Sequence, residues 1–341
     1  MGRTIAVLGG VVLAWAVVAE EPLLGPSVTV MHENDMVVRT DRHYTAGTKL
    51  NLLGSEVAVN GTNSGWPGWL ADRVPDFGPT PTSARIGLGI GQNIYTPTDT
   101  ATTALQPHDR PYAGVLYASL VLQTRGATSS GTARMDNWRL DLGIIGPGSL
   151  GEDAQNTVHR VRHLPTANGW ANQLQNEPAL ALRYQRTWRY TPAEPRDWGW
   201  DFLPAAGVSL GNIGTYAALG GQVRAGWHLP NDFGTVTIDS LNAPSGGRAS
   251  DDPRQLGWYV FVGVEGRAVA YNSTLDGNIF RTSHHVDKFP LVGDTKFGAV
   301  LSCKWFDVTL AEVIRTKEFI GQREIDAFGS LAVSFKWGRA H

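Results

Sequence analysis

Residues 325–337 read IDAFGSLAVSFKW, a stretch in which every second side chain is apolar, beginning with Ile325. The intervening positions include Asp326, Ser330 and Lys336. Because successive side chains of a β-strand point to opposite sides, this period of two predicts a strand with one apolar and one largely polar face. The stretch also exceeds the roughly 9–11 residues that a tilted strand needs to cross a bilayer. It therefore predicts a membrane-spanning strand.

The same alternation recurs along the chain. The segment 257–271 is apolar on one face and carries Glu265 and Arg267 on the other. A charged inner face would be a poor core for a β-sandwich, but it suits the polar lumen of a membrane barrel. The expected fold class is all-β, a transmembrane antiparallel β-barrel of about twelve strands, an even number as bacterial barrels require. We place the strands near 27–37, 43–53, 83–93, 113–124, 135–146, 177–190, 199–210, 214–227, 257–271, 289–302, 305–316 and 325–338.

The amino terminus indicates export. A positive Arg3 precedes an apolar run over 5–18, and small residues end at Ala19 before two glutamates. This order is that of a signal peptide, and the run is shorter than the roughly 20 residues of a spanning helix. We predict a signal peptide over 1–19 and a single, monomeric barrel domain over 20–341 in the cell outer membrane. Export also favours this barrel over a soluble double-sheet jelly roll, which the strand count alone does not exclude.

Composition excludes some function classes. A formal net charge of −2 lacks the basic footprint of a nucleic-acid-binding protein. Glycine (40 residues) and tryptophan (12 residues) are abundant, which suits bent strands and an interfacial aromatic girdle. The single Cys303 allows no intrachain disulfide. The aromatic residues near strand ends that we predict for the girdle are Tyr44, Tyr95, Trp188, Tyr190, Trp227, Tyr271, Trp305 and Trp337.

The connections between strands also carry information. If both termini are periplasmic, the odd-numbered connections face the cell exterior, and the unusual polar sequence of 35–42, 95–112 and 146–176 gathers at one mouth of the barrel. The candidate chemistry is expected there. Two long connections, 54–82 and 229–255, fall on the periplasmic side, where turns are normally short. The second is rich in Ser, Gly, Asp and Pro and is expected to be a mobile loop.

The connection 146–176 contains the only helix expected after the signal peptide, over 150–163, with Ser149 as its cap. Gln155 and His159 are four residues apart and share one face of it. Such a helix in an infolded extracellular loop can fold over or into the barrel mouth and present His159 to the lumen. On the spacing alone, a solvated histidine on a loop helix is the more ordinary interpretation.

The first two strands supply a second group of candidates. Alternation with Gly47 and Lys49 predicts that Thr45 points into the lumen. Asn34 and Asp35 would point to opposite faces unless the strand ended there or carried a bulge. Oxygen ligands such as Asp35 and Thr45 suit calcium rather than zinc. An ordinary turn rich in Asn and Asp is the simpler explanation of the same residues.

Several separated motifs add to this pattern. They are Glu33-Asn34-Asp35, Asp41-Arg42-His43-Tyr44-Thr45-Ala46-Gly47, Gln92-Asn93-Ile94-Tyr95-Thr96-Pro97, Asp109-Arg110-Pro111-Tyr112-Ala113-Gly114, Gly143-Ile144-Ile145-Gly146-Pro147 and Gln155-Asn156-Thr157-Val158-His159, followed by Trp170 and Gln173. In order and approximate spacing, the set resembles the LpxR-like family of outer-membrane lipid A 3′-O-deacylases. The resemblance covers about 27–180, and the rest of the chain matches only as generic barrel strands.

The resemblance implies a twelve-stranded barrel whose active site lies between the inner wall and an infolded loop helix. It also implies calcium dependence and hydrolysis of the acyl chain esterified at the 3′ position of lipid A. The expected partners are therefore lipopolysaccharide, as substrate, and the outer-membrane lipids. The family's functional positions fall on Asn34, Asp35, Thr45, Gln155 and His159, of which Asp35 and Thr45 would hold the calcium ion.

Two positions depart from the family pattern. An acidic residue expected shortly after the histidine falls near Pro165, and a lysine expected after the Tyr-Thr-Pro motif falls near Thr102. Glu177 is a candidate for the missing carboxylate. Lys49 and Arg110 are candidates for the missing cation.

The chemistry implied is ester hydrolysis by water. His159 is the candidate general base, with Gln155 or Asn34 orienting the water or the carbonyl. Calcium on Asp35 and Thr45 would polarise the ester. No serine lies in a G-x-S-x-G setting, so direct attack by water is expected. The alternatives are an outer-membrane phospholipase, which would pair its histidine with a serine, and a non-enzymatic porin-like barrel.

Overall fold

The computed structural model describes residues 23–35, 43–59, 64–75, 77–192, 197–246 and 256–338. The signal peptide predicted over 1–19 lies outside the described residues, as do Asp41 and Arg42 of the second motif.

Twelve long strands form one antiparallel sheet that closes on itself. The first strand pairs with the last, with Ser27 opposite Lys336 and Asn34 opposite Gly329. No long strand of the described barrel keeps an unpaired edge, which is the condition for crossing hydrocarbon. The predicted antiparallel barrel of twelve strands is confirmed. The strands are β1 Ser27–Asn34, β2 His43–Leu53, β3 Ser83–Thr96, β4 Ala113–Ala127, β5 Ala133–Ile145, β6 Glu177–Arg189, β7 Trp198–Gly211, β8 Gly214–Trp227, β9 Gly257–Asn272, β10 Leu291–Ser302, β11 Phe306–Arg315 and β12 Asp326–Lys336.

Alternation sorts the side chains of each strand between lipid and lumen. On β3, Leu88 and Ile90 are exposed on the outer face, whereas Arg85 is buried on the inner face. Many of the charges buried in the lumen are paired, as in the contact of 2.6 Å between Arg224 Nε and Asp201 Oδ1. Pairing offsets the free-energy cost of holding a charge away from water. The polar face predicted for the strands is therefore the lining of the lumen.

The upper end of the barrel, where β1 finishes and β2 begins, is filled by an aromatic cluster. Tyr44, Tyr95, Tyr117 and Phe328 are buried together inside the lumen, with the rings of Tyr44 and Phe328 4.8 Å apart. Glu33 holds Tyr44 inward, because its carboxylate accepts a hydrogen bond from the phenol at 2.8 Å. The prediction that Tyr44 and Tyr95 belong to an interfacial girdle is therefore wrong.

Residues 229–246 enter the lumen from the opposite, lower end and form what we call the plug. The Ile238 N–H donates to Glu33 Oε1 at 2.8 Å, and Asn137 Nδ2 donates to the Leu241 carbonyl at 3.2 Å. For this described part, the expectation of a mobile loop over 229–255 is wrong, because polar side chains of the wall bind its backbone; residues 247–255 lie outside the described residues. Its turn-forming composition lets the chain bend inside the barrel, and the wall supplies the hydrogen bonds that water would otherwise give.

Within the described residues, three short α-helices accompany the barrel: α1 Gly65–Ala71, α2 Gly151–Val161 and α3 Ser273–Asp276. The expectation of a single helix is wrong, since α1 and α3 also form. Ser149 does not cap α2, because its hydroxyl donates to the Gly146 carbonyl at 2.6 Å. The N-cap is Leu150, in a left-handed conformation. None of the helices within the described ranges is long and apolar enough to cross a membrane.

The plug offers a test of the fold with two leucines of the same connection. Leu241 is buried in the lumen, whereas Leu256 is exposed. Leu241→Ala leaves a cavity and should lower the free energy of unfolding by about 2–5 kcal/mol. The control Leu256→Ala should change it by less than about 0.5 kcal/mol. Urea unfolding of both variants in lipid vesicles measures the difference, and equal values would contradict the plug.

Candidate active site on the outer wall

Helix α2 lies against the outer face of the barrel wall at its upper end. Ile94 of β3 and Gly114 of β4 stand opposite each other on the face that carries the exposed Ile90. The beginning of α2 lies directly over Gly114, where a Cβ would overlap the Ser149 hydroxyl. Gln92, also on this face, donates from Nε2 to the Ser149 carbonyl at 2.6 Å. The helix is therefore fixed to the side of the wall that faces lipid.

This position corrects the expectation that the helix enters the mouth and presents a histidine to the lumen. Ala154 of α2 packs on the outer side, against a buried cluster of Ile94, Tyr112, Ala167 and Trp170. The lumen is already occupied by the aromatic cluster and the plug. The expected short helix in this connection is confirmed, but the connection folds along the outside of the barrel.

Thr45 also points outward, so the prediction that it faces the lumen is wrong. A bulge between Tyr44 and Ala46 inserts one extra residue into β2 and resets the alternation. The Thr45 hydroxyl lies 2.8 Å from that of Thr96, on the outward face of β3. Asn34 Nδ2 donates to the Thr45 carbonyl at 3.1 Å. Asn34, Thr45 and Thr96 thus form one group on the outer wall, which we call the threonine group.

Helix α2 buries Gln155 and His159 on one face. His159 Nδ1 lies 2.5 Å from the Pro165 carbonyl, and because a carbonyl only accepts, Nδ1 of the neutral ring carries the hydrogen and Nε2 keeps a free lone pair. Gln155 Oε1 accepts from Trp170 Nε1 at 2.9 Å, which directs the Gln155 amide nitrogen away from the indole. That nitrogen is buried with no hydrogen-bond partner among the described residues. The pair presents one proton acceptor and one free donor.

Asn156 holds the connection after α2 against the helix. Its Oδ1 accepts from the Ala167 N–H at 2.9 Å, and its Nδ2 donates to the Ala167 carbonyl at 3.2 Å. This double hydrogen bond keeps Pro165 beside His159. Asn156 and Trp170 are not among the site residues predicted from the sequence. The only signal for them was their membership of the motifs at 155–159 and 170–173.

Comparison with known proteins identifies the family of this chain. The model of the outer membrane protein LpxR matches residues 5–337. The chain belongs to the LpxR family. The structure is similar to LpxR from Salmonella typhimurium, with a TM-score of 0.65, 21% sequence identity and coverage of 91% of this chain and 100% of that chain.

Two autotransporter barrels resemble the fold less. They are the β domain of Bordetella BrkA (TM-score 0.43, 9% identity, 93% of this chain and 100% of that chain) and the translocator domain of NalP from Neisseria meningitidis (TM-score 0.36, 12% identity, 92% and 88%). A search of curated proteins gave no match. Membership of the LpxR family makes this an outer-membrane barrel of the lipid A deacylase kind. The family match extends well beyond the first half of the chain that the motifs indicated.

The substitutes suggested for the two missing LpxR family positions are engaged elsewhere. The carboxylate of Glu177 accepts from Asn212 Nδ2 at 2.8 Å. Lys49 is buried in the lumen, and Arg110 is paired with Glu318 at 3.2 Å. These contacts lie inside the barrel or at its rim, across the wall from α2. Beside His159, where the family pattern places an acidic residue, the contact is made by the Pro165 backbone carbonyl.

His43 fixes the rim beside the threonine group. Its Nδ1 lies 2.6 Å from Asp326 Oδ1, and its Nε2 lies 3.2 Å from the Thr98 hydroxyl. Asp109 is 3.6 Å from the same Nε2. Burial alone would raise the pKa of Asp109, but hydrogen bonds from His43 and Thr98 outweigh it and hold this pKa well below its usual range. Asp109 therefore stays charged and joins the connection after β3 to β2.

The donors near the threonine group fit an oxygen-loving cation. Strand β1 ends at Asn34, so Asp35 is released from the strand alternation, and its side chain is buried. The Asp35 carboxylate and the hydroxyls of Thr45 and Thr96 are hard oxygen donors, which suit calcium and not zinc. Among the described residues, no group of three or more His, Cys, Asp or Glu side chains could hold a metal. A calcium ion here would depend on backbone carbonyls and water to complete its ligands, and its affinity would be low.

Asn156→Ala tests whether the hydrogen bonds of Asn156 fix the connection after α2 against the helix. Removing both hydrogen bonds to Ala167 should cost about 1–3 kcal/mol and loosen the segment after α2 without opening the barrel. Deuterium uptake at backbone amides of 150–170 should rise, and uptake in the strands should not change. Thr157→Ala, at an exposed neighbour on the same helix, is the control. Unchanged uptake in Asn156→Ala would remove the role assigned to this residue.

Proposed function

We propose that this protein hydrolyses the acyl chain esterified at the 3′ position of lipid A, with water activated by His159 and with a bound calcium ion. The observation that carries the proposal is the outward position of α2, on the same side of the wall as the threonine group. A soluble substrate would reach its site through the lumen or between the loops. A lipid held in the leaflet reaches the outer wall directly.

The depth of the group also supports a lipid ester as substrate. Thr96 lies twelve residues above Ala84 at the lower end of β3 (96 − 84). At about 3.3 Å per residue and a tilt of about 40°, this spans roughly 30 Å, close to the thickness of the hydrocarbon core. The threonine group is then level with the interface of the leaflet at the upper end. Lipid A carries its ester bonds at that level, between sugar and acyl chains.

Two side chains of α2 can perform the hydrolysis. His159 Nε2 removes a proton from water, and the oxygen attacks the ester carbonyl. The free Gln155 N–H donates to the oxyanion that forms on the carbonyl oxygen. When the intermediate collapses, the C–O bond to the sugar breaks, and His159 returns the proton to the departing sugar oxygen. The products are a fatty acid and a free sugar hydroxyl.

Asp35 and Thr45 are the residues that would hold calcium. When bound, the ion would supply Lewis-acid polarisation of the ester carbonyl. Asn34 has a positioning part in this proposal, because its hydrogen bond fixes the Thr45 carbonyl. A metal that adds positive charge near the carbonyl complements the single neutral donor of Gln155.

The structure disfavours the two alternative functions. A phospholipase of the His–Ser type needs a serine against its histidine, and among the described residues the hydrogen-bond partner of His159 is the Pro165 carbonyl. A porin needs an open channel, whereas the plug and the aromatic cluster obstruct this lumen. Hydrolysis by water at the outer wall is the function that the geometry supports best.

His159→Ala tests the general base. Loss of positioned proton transfer should cut deacylation by about 10²–10⁴-fold, and the barrel should still fold because its strand pairing is untouched. Mass spectrometry of lipid A treated with the heat-modifiable barrel measures the rate. His163→Ala, exposed just beyond α2, should leave it unchanged. Parent-rate deacylation by His159→Ala would rule out this mechanism.

Asp35→Asn tests the calcium site with a readout that does not depend on activity. A ligand that binds only the folded barrel stabilises it by about 2.7 kcal/mol at one hundred times its Kd. Calcium should therefore raise the Tm of the parent, and this increase should shrink in Asp35→Asn. Asp99→Asn, at an exposed carboxylate of the 97–112 connection, should keep the full increase. An identical calcium response in parent and Asp35→Asn, or full activity after exhaustive chelation, would exclude the site.

A further inference from the structure

Helix α1 belongs to the connection 54–82, which is unusually long for the periplasmic side of a barrel. It packs on the outward face of the wall near the lower end, where Ala71 joins Ala84 of β3 and Leu122 of β4 in a buried cluster. Its two tryptophans face away from this cluster. Trp66 is 73% exposed and Trp69 is 44% exposed, and their rings meet edge to face at 5.4 Å. The helix thus covers the wall with one face and offers an aromatic face to its surroundings.

Tryptophan is distributed unequally between the two ends of the barrel. All exposed tryptophans of the described residues lie at the lower end. Such side chains concentrate where a membrane meets water, because the ring is apolar and its N–H is not. The lower end therefore sits at the interface of the leaflet on that side. Six of these tryptophans belong to the strands or their ends: Trp198, Trp200, Trp227, Trp258, Trp305 and Trp337.

The strand tryptophans do not surround the whole circumference of the barrel. They come from β7 to β9 and from the ends of β11 and β12, whereas no aromatic side chain of β1 to β4 is among the exposed large apolar residues. Near its lower end, β3 presents Ala84 and Ile86 outward, and β4 presents Leu122. Helix α1 lies over this sector, so Trp66 and Trp69 stand where the aromatic ring of side chains is interrupted.

The polar side of α1 suits lipid headgroups. Arg73 follows the helix, and its guanidinium stacks on the Trp69 ring at 3.9 Å while Nη1 donates to the Trp69 carbonyl at 2.8 Å. Arg73 itself is exposed beside the tryptophans. A guanidinium held next to an interfacial indole is well placed to bind a phosphate. Phe77, exposed and packed on Trp138 and Tyr184, extends the aromatic surface toward β5 and β6.

We infer that α1 is an interfacial anchor for glycerophospholipids of the leaflet at the lower end, with Trp66 and Trp69 inserted at the headgroup boundary and Arg73 at the phosphates. The occupant is lipid because the aromatic face continues the lipid-facing wall. Together with the strand tryptophans, α1 would fix the height of the barrel in the membrane. This inference does not depend on the proposed enzymatic function.

Depth measurement with spin labels tests the anchor. Cys303 is the only cysteine and is buried, so Cys303→Ser provides a background for Trp66→Cys and, as a second site, Trp69→Cys. Matched references are Trp305→Cys in the strand set, Leu88→Cys at mid-wall and Ser130→Cys in the exposed lower turn. The labelled full-length barrels are reconstituted in phosphatidylethanolamine and phosphatidylglycerol vesicles. Collisions with oxygen and with a water-soluble nickel chelate, present on both sides, report depth.

The labels on α1 should match the Trp305 reference, about 5–10 Å into the boundary between headgroups and acyl chains, as for interfacial helices. They should show a clear loss of nickel collisions relative to the Ser130 reference and fewer oxygen collisions than the Leu88 reference. Nickel accessibility equal to that of Ser130 would overturn the inference and leave α1 as a surface open to water or to a protein partner. Depth equal to that of Leu88 would overturn the interfacial position.

Discussion

A strand inside hydrocarbon has no water to satisfy its backbone, so every N–H and C=O group must find a partner in the neighbouring strand. Closure of the sheet between β1 and β12 meets this requirement, and the other features follow from it. A closed barrel divides each strand into a lipid face and a lumen face. Here the side chains of the lumen face form ion pairs, pack in an aromatic cluster or bind the plug. The motifs shared with the LpxR family meet instead on the outer face, from which the proposed chemistry would reach lipid.

Structural features that depend on the periodicity and spacing of residues were predicted correctly from the sequence. The twelve strands were predicted because their alternation is long and regular, and the helix with Gln155 and His159 was predicted because nothing in 151–161 breaks it. The direction of Thr45 was not predictable by the same means, since a single extra residue in β2 reverses it. A bulge changes neither the composition nor the polarity of the segment, so alternation gives no warning of it.

The position of the plug inside the lumen could not be predicted from the sequence, for a different reason. Its Ser, Gly, Asp and Pro content describes how easily the chain bends, and says nothing of what surrounds it. Partners such as Asn137 and Glu33 lie far away in sequence, and their hydrogen bonds with the plug exist only in the closed barrel. The same holds for Trp170, whose indole orients Gln155. Long-range partners of polar groups are the part of a site that local sequence patterns do not contain.

The Pro165 carbonyl gives the candidate site its own character. A carboxylate beside a catalytic histidine both fixes the ring tautomer and stabilises the imidazolium that forms during the reaction. A neutral carbonyl fixes the tautomer and adds no formal charge. More of the charge that develops in the reaction must then be stabilised elsewhere, by Gln155 and by the cation that Asp35 and Thr45 are proposed to hold. The arrangement of the outer wall is consistent with this division of roles.

In the proposed function, the substrate is engaged from the lipid side of the wall. The most direct test is photo-crosslinking with lipid A that carries a photoreactive group on its 3′-linked acyl chain, followed by peptide mapping of the labelled barrel. We expect crosslinks on α2 and on outward positions of β3 such as Ile94 and Thr96. Crosslinks confined to the plug or to lumen residues such as Lys49 would contradict it.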